Sequence, residues 1–196
     1  MTEGFPDRGV APTGEPPLLV VMGVSGTGKS TVGALLAREL AVPYAEADDF
    51  HPPANIARMA AGTPLTDEDR EPWLAAIGDW LRGRRGRGGV VSCSALRRRY
   101  RDVLRTAAPG VRFVHLRGER ALIDRRLAGR LDHFMPRALL DSQFATLEPL
   151  EPDEAGTVLE VSAGPATLTR RALRALGLPA DPESPGRRPP GDAPDR

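Results

Sequence analysis

The chain has 196 residues, with 27 Lys plus Arg against 26 Asp plus Glu and a net charge of +1, so its length suits one α/β domain. This near-neutral balance argues against general nucleic-acid binding, and the single cysteine excludes a disulfide framework and a cysteine-rich zinc site. Because no apolar run approaches a membrane span and no signal-peptide pattern opens the chain, we expect a cytoplasmic protein with no membrane partner.

A glycine-rich loop follows the first predicted strand. Residues 1–16 repeat glycine and proline without periodicity and predict a flexible leader, ahead of a domain over 17–178. The apolar run Leu18–Met22 then predicts a buried strand, and Val32, Leu35, Leu36 and Leu40 recur at helical spacing. Between strand and helix stands Gly23-Val24-Ser25-Gly26-Thr27-Gly28-Lys29-Ser30, which matches the phosphate-binding pattern G-x-x-x-x-G-K-[ST]. We therefore predict a nucleoside triphosphate site.

Lys29 is the single lysine of a sequence that uses arginine at every other basic position. A slim ammonium can reach over a tight loop to β- and γ-phosphate oxygens, whereas the wide guanidinium fork cannot. Ser30 is predicted to offer its hydroxyl to Mg²⁺. The predicted nucleotide-binding residues are Gly23, Ser25, Gly26, Thr27, Gly28, Lys29, Ser30 and Thr31.

Strands and helices alternate along the rest of the domain. Further strands are predicted around 44–46, 90–92, 111–116 and 158–161, with amphipathic helices between them. This alternation predicts a parallel sheet covered by helices on both faces, with ligands beyond the carboxyl ends of its strands. The residues after 179 are rich in proline and arginine, so a disordered tail is predicted over 179–196.

The polar residues after the strands favour a small-molecule kinase. A switch GTPase needs a second lysine in its guanine-reading segment, and a motor ATPase needs a carboxylate at the end of an internal strand; neither is present. Glu46, Asp48 and Asp49 instead follow the second strand, where a carboxylate would face a second substrate. A solvated acidic loop is the alternative interpretation of these three residues.

Two arginines four residues apart suggest a lid over the transferred phosphate. Arg126 and Arg130 would share one side of a predicted helix, and the segment from His133 to Pro136 would break that helix. We predict a mobile lid over about 125–137, which would place cations on the phosphate and exclude water. A solvated basic face is the simpler alternative for the arginine pair.

Several residues are predicted to have structural roles. Thr66 is a candidate N-cap, and Asp67 and Asp69 are at least as well suited to capping that helix as to contacting substrate. His51 would precede a helix that starts at Pro52 or Pro53. Buried packing positions are predicted for Trp73, Trp80, Cys93 and His115.

Four stretches narrow the choice of kinase. After the second strand the chain reads Asp48-Asp49-Phe50-His51-Pro52-Pro53-Ala54-Asn55-Ile56-Ala57-Arg58-Met59. Then come Gly62-Thr63-Pro64-Leu65-Thr66-Asp67-Glu68-Asp69-Arg70-Glu71-Pro72-Trp73-Leu74, Cys93-Ser94-Ala95-Leu96-Arg97 and Gln143-Phe144-Ala145-Thr146-Leu147-Glu148. Together with the phosphate-binding loop, they closely resemble the gluconokinase family, relatives of shikimate and adenylate kinases. The match runs in order from about residue 18 to residue 161.

This resemblance implies a fold, a reaction and roles for individual residues. The fold would be the three-layer α/β P-loop kinase fold, with a five-stranded parallel sheet between helices and a mobile lid. The reaction would be phosphorylation of D-gluconate at its terminal hydroxyl by ATP with Mg²⁺. By comparison with shikimate kinases, Asp48 would orient the hydroxyl and accept its proton, Glu46 would reach Mg²⁺ through water, and Arg70 would grip the carboxylate. Other implied substrate contacts are His51, Asn55, Arg58, Arg97 and His133, and the implied catalytic cations are Lys29, Arg126 and Arg130.

The sequence departs from the family at two of these positions and leaves other functions open. The family commonly has lysine where Arg58 and Arg97 stand, which bears on substrate preference and not on the fold. The family often forms dimers, so a homodimer is possible. Alternatives are the same machinery acting on shikimate or a nucleoside phosphate, a nucleotide-binding module without useful catalysis, and a nucleic-acid kinase, which the net charge disfavours.

Overall fold

The computed structural model of the protein describes residues 14–63, 65–128 and 137–179. Within them, strands and helices alternate as predicted, and each predicted strand is present to within two residues at its ends. The strands are β1 (Leu18–Met22), β2 (Tyr44–Glu46), β3 (Gly89–Ser92), β4 (Arg112–Arg117) and β5 (Gly156–Glu160). The helices are α1 (Lys29–Glu39), α2 (Pro53–Ala60), α3 (Asp67–Arg82), α4 (Arg98–Ala107), α5 (Arg120–Ala128), α6 (Arg137–Thr146) and α7 (Pro165–Ala175), with a 3-10 turn at Ala47–Phe50.

All five strands pair in parallel in the order β2-β3-β1-β4-β5, which confirms the predicted sheet. Glu46 at the end of β2 lies opposite Ser92 in β3, and Ser92 lies opposite Val21 in β1. The carboxyl ends of these three strands therefore reach the same edge of the sheet. Loops that leave them, including the glycine-rich loop after β1, meet at that edge.

Helices cover both faces of the sheet, as parallel strands buried on both sides require. Alternate residues of β1 point to opposite faces: Leu19 and Val21 belong to the core under α1 and α7, and Val20 belongs to the core under α3 and α4. Trp73 is buried in the second core and Trp80 packs at its margin, so both predicted packing positions are confirmed.

Local capping fixes where α3 begins. Thr66 accepts a hydrogen bond from the Asp69 N–H, and the Asp69 carboxylate accepts one from the Thr66 N–H at 2.8 Å, which completes a capping box. The predicted N-cap is thus confirmed, and α2 begins at Pro53, directly after His51-Pro52 as predicted.

The predicted leader and tail lie almost wholly outside the described residues, and so do lid positions 129–136. The proposed boundaries at residues 16 and 179 and the mobility of the lid stay predictions. Among the helices of the described ranges, none is both long and apolar enough to cross a membrane.

Candidate active site

Two side chains of the phosphate-binding loop, residues 23–30, hydrogen-bond to one backbone carbonyl of the same loop. The Val24 oxygen accepts hydrogen bonds from the Thr27 hydroxyl at 2.8 Å and from the Lys29 ammonium at 3.1 Å. At its start the loop requires glycine, because a Cβ on Gly23, whose φ is +140°, would lie 2.4 Å from the Leu116 carbonyl oxygen. Side chains and sheet packing thus hold this backbone in a tight curve.

The first turn of α1, directly after the loop, has no capping or acidic side chain that would compete with a phosphate for its N–H groups. Gly28 adopts a left-handed conformation, with φ 93° and ψ 25°, and caps α1 without a side-chain hydrogen bond. The first turn of α1 contains no acidic residue. The positive end of the helix dipole and its first N–H groups are therefore suited to binding phosphate oxygens.

A cavity of about 320 Å³ adjoins this loop on the side of α7. The loop, α1 and the segment after β5 form its walls, which comprise Gly26, Thr27, Gly28, Thr31, Val32, Arg126, Ala163, Pro165 and Leu168. The Arg126 guanidinium donates to the Val161 carbonyl at 2.5 Å, which holds this predicted lid cation at the cavity wall. The other predicted lid residues, Arg130 and His133, lie outside the described residues.

A hydrogen-bonded group at the end of β2 joins the two predicted Mg²⁺ contacts. The Tyr44 hydroxyl donates to the Glu46 carboxylate and lies 2.5 Å from the Ser92 hydroxyl. Burial raises the pKa of Tyr44 strongly, the bond to Glu46 raises it further, and hydrogen bonds with Ser92 and Ser30 oppose the rise. Hydroxyl and carboxylate oxygens are the ligands that Mg²⁺ prefers, so Ser30 and Glu46 fit this ion.

Tyr44 was not among the predicted site residues, although strand geometry could have identified it. Residues two apart in a strand share a face, so the Tyr44 ring is expected next to Glu46. The ring also fits under α1, where a Cβ on Gly33 would lie 2.7 Å from the Tyr44 ring edge. The tyrosine is therefore clamped between α1 and the predicted metal site.

Asp48 and Lys29 both lie close enough to the end of β3 for their charges to act on the residue that follows it. Cys93 is buried there, as predicted, and burial raises the pKa of its thiol to about 12. The Lys29 ammonium lowers that pKa and the Asp48 carboxylate raises it, so both charges act on the same sulfur. Asp48 itself is exposed on the 3-10 turn. The predicted base and the phosphate-loop lysine are therefore both near one residue at the carboxyl end of β3.

We call the predicted contacts Asp48, His51, Asn55, Arg58, Arg70 and Arg97 the acceptor side, and the loop with its cavity and Glu46 the nucleotide side. Three predicted substrate contacts of the acceptor side converge on the first turn of α3. Asn55 is buried and donates to the Asp69 carbonyl at 2.6 Å, and Arg58 pairs with the Asp69 carboxylate at 3.0 Å. Arg97 pairs with Asp67 at 3.3 Å. Opposite charges therefore hold both family-divergent arginines in place.

Asp67 takes no part in the capping box, which Thr66 and Asp69 form, and instead contacts α4 and the residue before it. Its carboxylate accepts hydrogen bonds from the Tyr100 hydroxyl and from Arg99 as well as from Arg97, and the Tyr100 bond is the main reason that its pKa is lowered. Arg70 lies over the Tyr100 ring at 5.9 Å and donates to the Leu65 carbonyl at 2.6 Å. These contacts join α3 to α4, which are distant in sequence, so sequence reasoning missed Tyr100.

His51 packs against Trp73 of α3 and lies close enough to Asp48 and Arg70 for their charges to act on it. Its ring stacks on Trp73 at 4.6 Å, with 5° between the planes. Burial lowers the pKa of His51, and Asp48 and Arg70 shift it in opposite directions, so Asp48, His51 and Arg70 share one electrostatic environment. A neutral imidazole can both donate and accept hydrogen bonds, which suits contact with hydroxyl groups.

The comparisons with known proteins agree with this geometry. The family model for shikimate kinase matches residues 25–150. A gluconokinase of Gluconobacter oxydans (strain 621H) is 51% identical over 156 residues, which cover 79% of this chain and 85% of the relative. A sugar kinase from Janibacter sp. HTCC2649 superposes with a TM-score of 0.79 at 50% identity, covering 83% of this chain and 95% of that one. A gluconokinase from Sinorhizobium meliloti 1021 gives 0.77 at 47% identity, with 83% and 92% covered.

Proposed function

The chain belongs to the gluconokinase family, and we propose that it transfers the γ-phosphoryl group of ATP to the terminal hydroxyl of D-gluconate, which yields 6-phospho-D-gluconate and ADP. The observation that carries this proposal is the pairing of two half-sites at one edge of the sheet. The phosphate-binding loop follows β1 and Asp48 follows β2, and the charges of Lys29 and Asp48 both act on Cys93 after β3. Asp48 and Arg70 both act on His51, which connects the carboxylate electrostatically to the arginines that pair with Asp67 and Asp69.

On the nucleotide side, the chain stabilises charge that develops on the transferred group. Lys29 and the N–H groups at the start of α1 would bind β- and γ-phosphate oxygens, and Arg126 at the cavity wall would add a further positive charge. Arg130 would act in the same way. Ser30 and, through water, Glu46 would hold Mg²⁺, which neutralises phosphate charge when bound.

On the acceptor side, the chain binds and orients the sugar acid. Arg70 would pair with the gluconate carboxylate, supported by Arg58 and Arg97, while His51 and Asn55 would contact hydroxyls. His133 is a further predicted contact. Asp48 would accept the proton of the attacking hydroxyl as the new oxygen–phosphorus bond forms and the bond from Pγ to the β–γ bridging oxygen breaks. The chain needs no covalent intermediate for this step.

The test is coupled ADP release from purified protein with MgATP and, in parallel, D-gluconate, shikimate, AMP or no acceptor. We expect release with gluconate alone. Asp48→Asn should lower kcat about 10²–10⁴-fold, the range for loss of a general base. Asp49→Asn is the matched control, since Asp49 is an exposed carboxylate on the same 3-10 turn. Equal rates with all acceptors, or equal effects of the two substitutions, would contradict the proposal.

A further inference from the structure

Gln143 of α6 binds the phosphate-binding loop across a separation of 118 residues. Its carboxamide oxygen accepts a hydrogen bond from the Ser25 backbone N–H at 2.7 Å. Its amide nitrogen donates to the Ser25 hydroxyl at 3.2 Å. The Ser25 backbone N–H is thus the donor of one bond and the Ser25 hydroxyl oxygen is the acceptor of the other. The two bonds fix the orientation of the carboxamide and hold one loop residue at two points.

The helix that carries Gln143 contacts the core through one buried leucine and neighbouring apolar side chains. Leu140 is 1% exposed and belongs to the same buried cluster as Val24, the loop residue next to Ser25. Phe144 and Leu147 pack against this cluster as well. These positions are three, one and four residues from Gln143, so the packed face of α6 directs the carboxamide toward the loop.

The far end of α6 is tied to the acceptor side. The Glu148 N–H donates to the Leu96 carbonyl at 2.8 Å, and the Glu148 carboxylate accepts from the Arg98 N–H. The fully buried Arg101 donates to the Glu148 carbonyl at 3.1 Å and pairs with Glu154 at 2.6 Å. The anchored segment 96–98 includes Arg97 of the acceptor side. A series of hydrogen bonds and packing contacts therefore runs from residues 96–98 through Glu148 and α6 to the phosphate-binding loop.

We propose that Gln143 is a positioning residue for phosphoryl transfer, which clamps Ser25 and so fixes the first half of the phosphate-binding loop relative to the acceptor side. This inference rests on the proposed function. Glycines flank Ser25 in the loop at positions 23, 26 and 28, and all three have positive φ, a conformation that depends on surrounding contacts to be held in place. The Lys29 and Thr27 contacts fix Val24, and the Gln143 clamp fixes the next residue. A small displacement of a reacting group lowers phosphoryl transfer steeply.

The test compares Gln143→Met, which keeps side-chain length but removes both hydrogen bonds, with Ser142→Ala on the exposed side of the same helix. We expect Gln143→Met to lower kcat about tenfold and ATP affinity about fivefold, since two hydrogen bonds to a partly buried group are lost. The KM for gluconate and the melting temperature should stay near wild type. Ser142→Ala should change none of these quantities.

A double substitution separates positioning from a merely structural role. Ser25→Ala removes only the hydroxyl bond and keeps the backbone N–H bond, so it should lower kcat less than Gln143→Met does. It should have little further effect in Gln143→Met, where the Ser25 hydroxyl has already lost its Gln143 donor. If the fold-reductions in kcat of the two single variants multiply in the double variant, the inference is wrong. It is also wrong if Gln143→Met keeps wild-type kcat and ATP affinity, or if its lower kcat comes with a large fall in melting temperature. The affinity for a fluorescent ATP analogue tests the role of Gln143 even if the protein does not phosphorylate gluconate. Absence of gluconate phosphorylation would count against the proposed function and not against this inference.

Discussion

On the nucleotide side of the site, the polar groups are held mainly by the backbone, whereas on the acceptor side charged side chains hold one another. The Val24 carbonyl fixes Lys29 and Thr27, and Gly28 leads into α1 without a capping side chain. The Asp67 and Asp69 carboxylates, in contrast, pair with exposed or half-buried arginines. The first arrangement fixes geometry sterically, and the second can redistribute charge when a carboxylate ligand arrives. Substitutions should therefore act abruptly on the nucleotide side and gradually on the acceptor side.

Apart from loss of the proposed base Asp48, the largest effect is expected from Lys29→Arg, which keeps the charge but not the shape. A guanidinium is too wide for the curve around the Val24 carbonyl, so we expect kcat to fall about 10²–10³-fold, as for loss of one preorganised donor. Coupled ADP release measures this. Arg38→Lys, the reverse exchange on the exposed face of α1, should leave kcat unchanged. Near-normal activity of Lys29→Arg would show that charge alone suffices there and would remove the contrast between the sides.

A pH effect is expected from His115, which supports the nucleotide side from β4 opposite Met22. It is 2% exposed, its nitrogens have no hydrogen-bond partner among the described residues, and burial lowers its pKa to about 4. The unfolded histidine takes up a proton at about pH 6.5, whereas the buried one takes it up only at about pH 4. The contribution of this histidine to the unfolding free energy therefore has its full value above pH 6.5 and decreases as the pH falls from 6.5 to about 4.

Substitution of this histidine by leucine should remove that pH dependence. Between pH 7 and pH 4.5, wild type should lose about 2–3 kcal/mol more of its unfolding free energy than His115→Leu. Denaturant titrations at both pH values measure the difference. Parallel losses in the two proteins would mean that His115 takes up its proton in the folded state at an ordinary pKa.

Arg70→Met should have a graded effect on the acceptor side. Loss of a charged hydrogen bond to the substrate carboxylate should raise the KM for gluconate about 10–100-fold and change the KM for ATP little. Initial rates with each substrate varied in turn give both constants. Arg82→Met, at the exposed end of the same helix, is the control. A fall in kcat without a change in the KM for gluconate would place Arg70 on the transferred phosphate instead.

The smallest effects are expected from a matched pair of tyrosine hydroxyls, one on each side. Tyr44→Phe keeps the ring against Gly33 but leaves Glu46 without its donor, so the Mg²⁺ concentration for half-maximal rate should rise about three- to fivefold. Tyr100→Phe removes the bond to Asp67 and should raise the KM for gluconate by a similar factor. Titrations of both variants with Mg²⁺ and with gluconate measure these two quantities. A changed KM for gluconate in Tyr44→Phe together with a changed Mg²⁺ dependence in Tyr100→Phe would contradict the assignment of the two sides.

The sequence predicted the elements whose causes are local. Apolar periodicity located β1 and the other strands, and side-chain chemistry located the Thr66 cap and the buried Cys93 and His115. The contacts of Gln143 with Ser25 and of Tyr100 with Asp67 join residues 118 and 33 positions apart. Such contacts depend on how the helices pack on the sheet, which no local pattern encodes. The catalytic roles of Lys29, Asp48 and Arg126 remain predictions, and the experiments above test the first two.

The single lysine of the sequence also has a chemical consequence. Because every other basic side chain is a guanidinium, an acylating reagent directed at amines has one side-chain target in the chain, the Lys29 ε-amine in the phosphate-binding loop. Mass spectrometry of the modified lysine would then report occupancy of the loop directly. Bound ATP should slow the modification, so the same amine that is predicted to bind phosphate can serve as a built-in label for the nucleotide site.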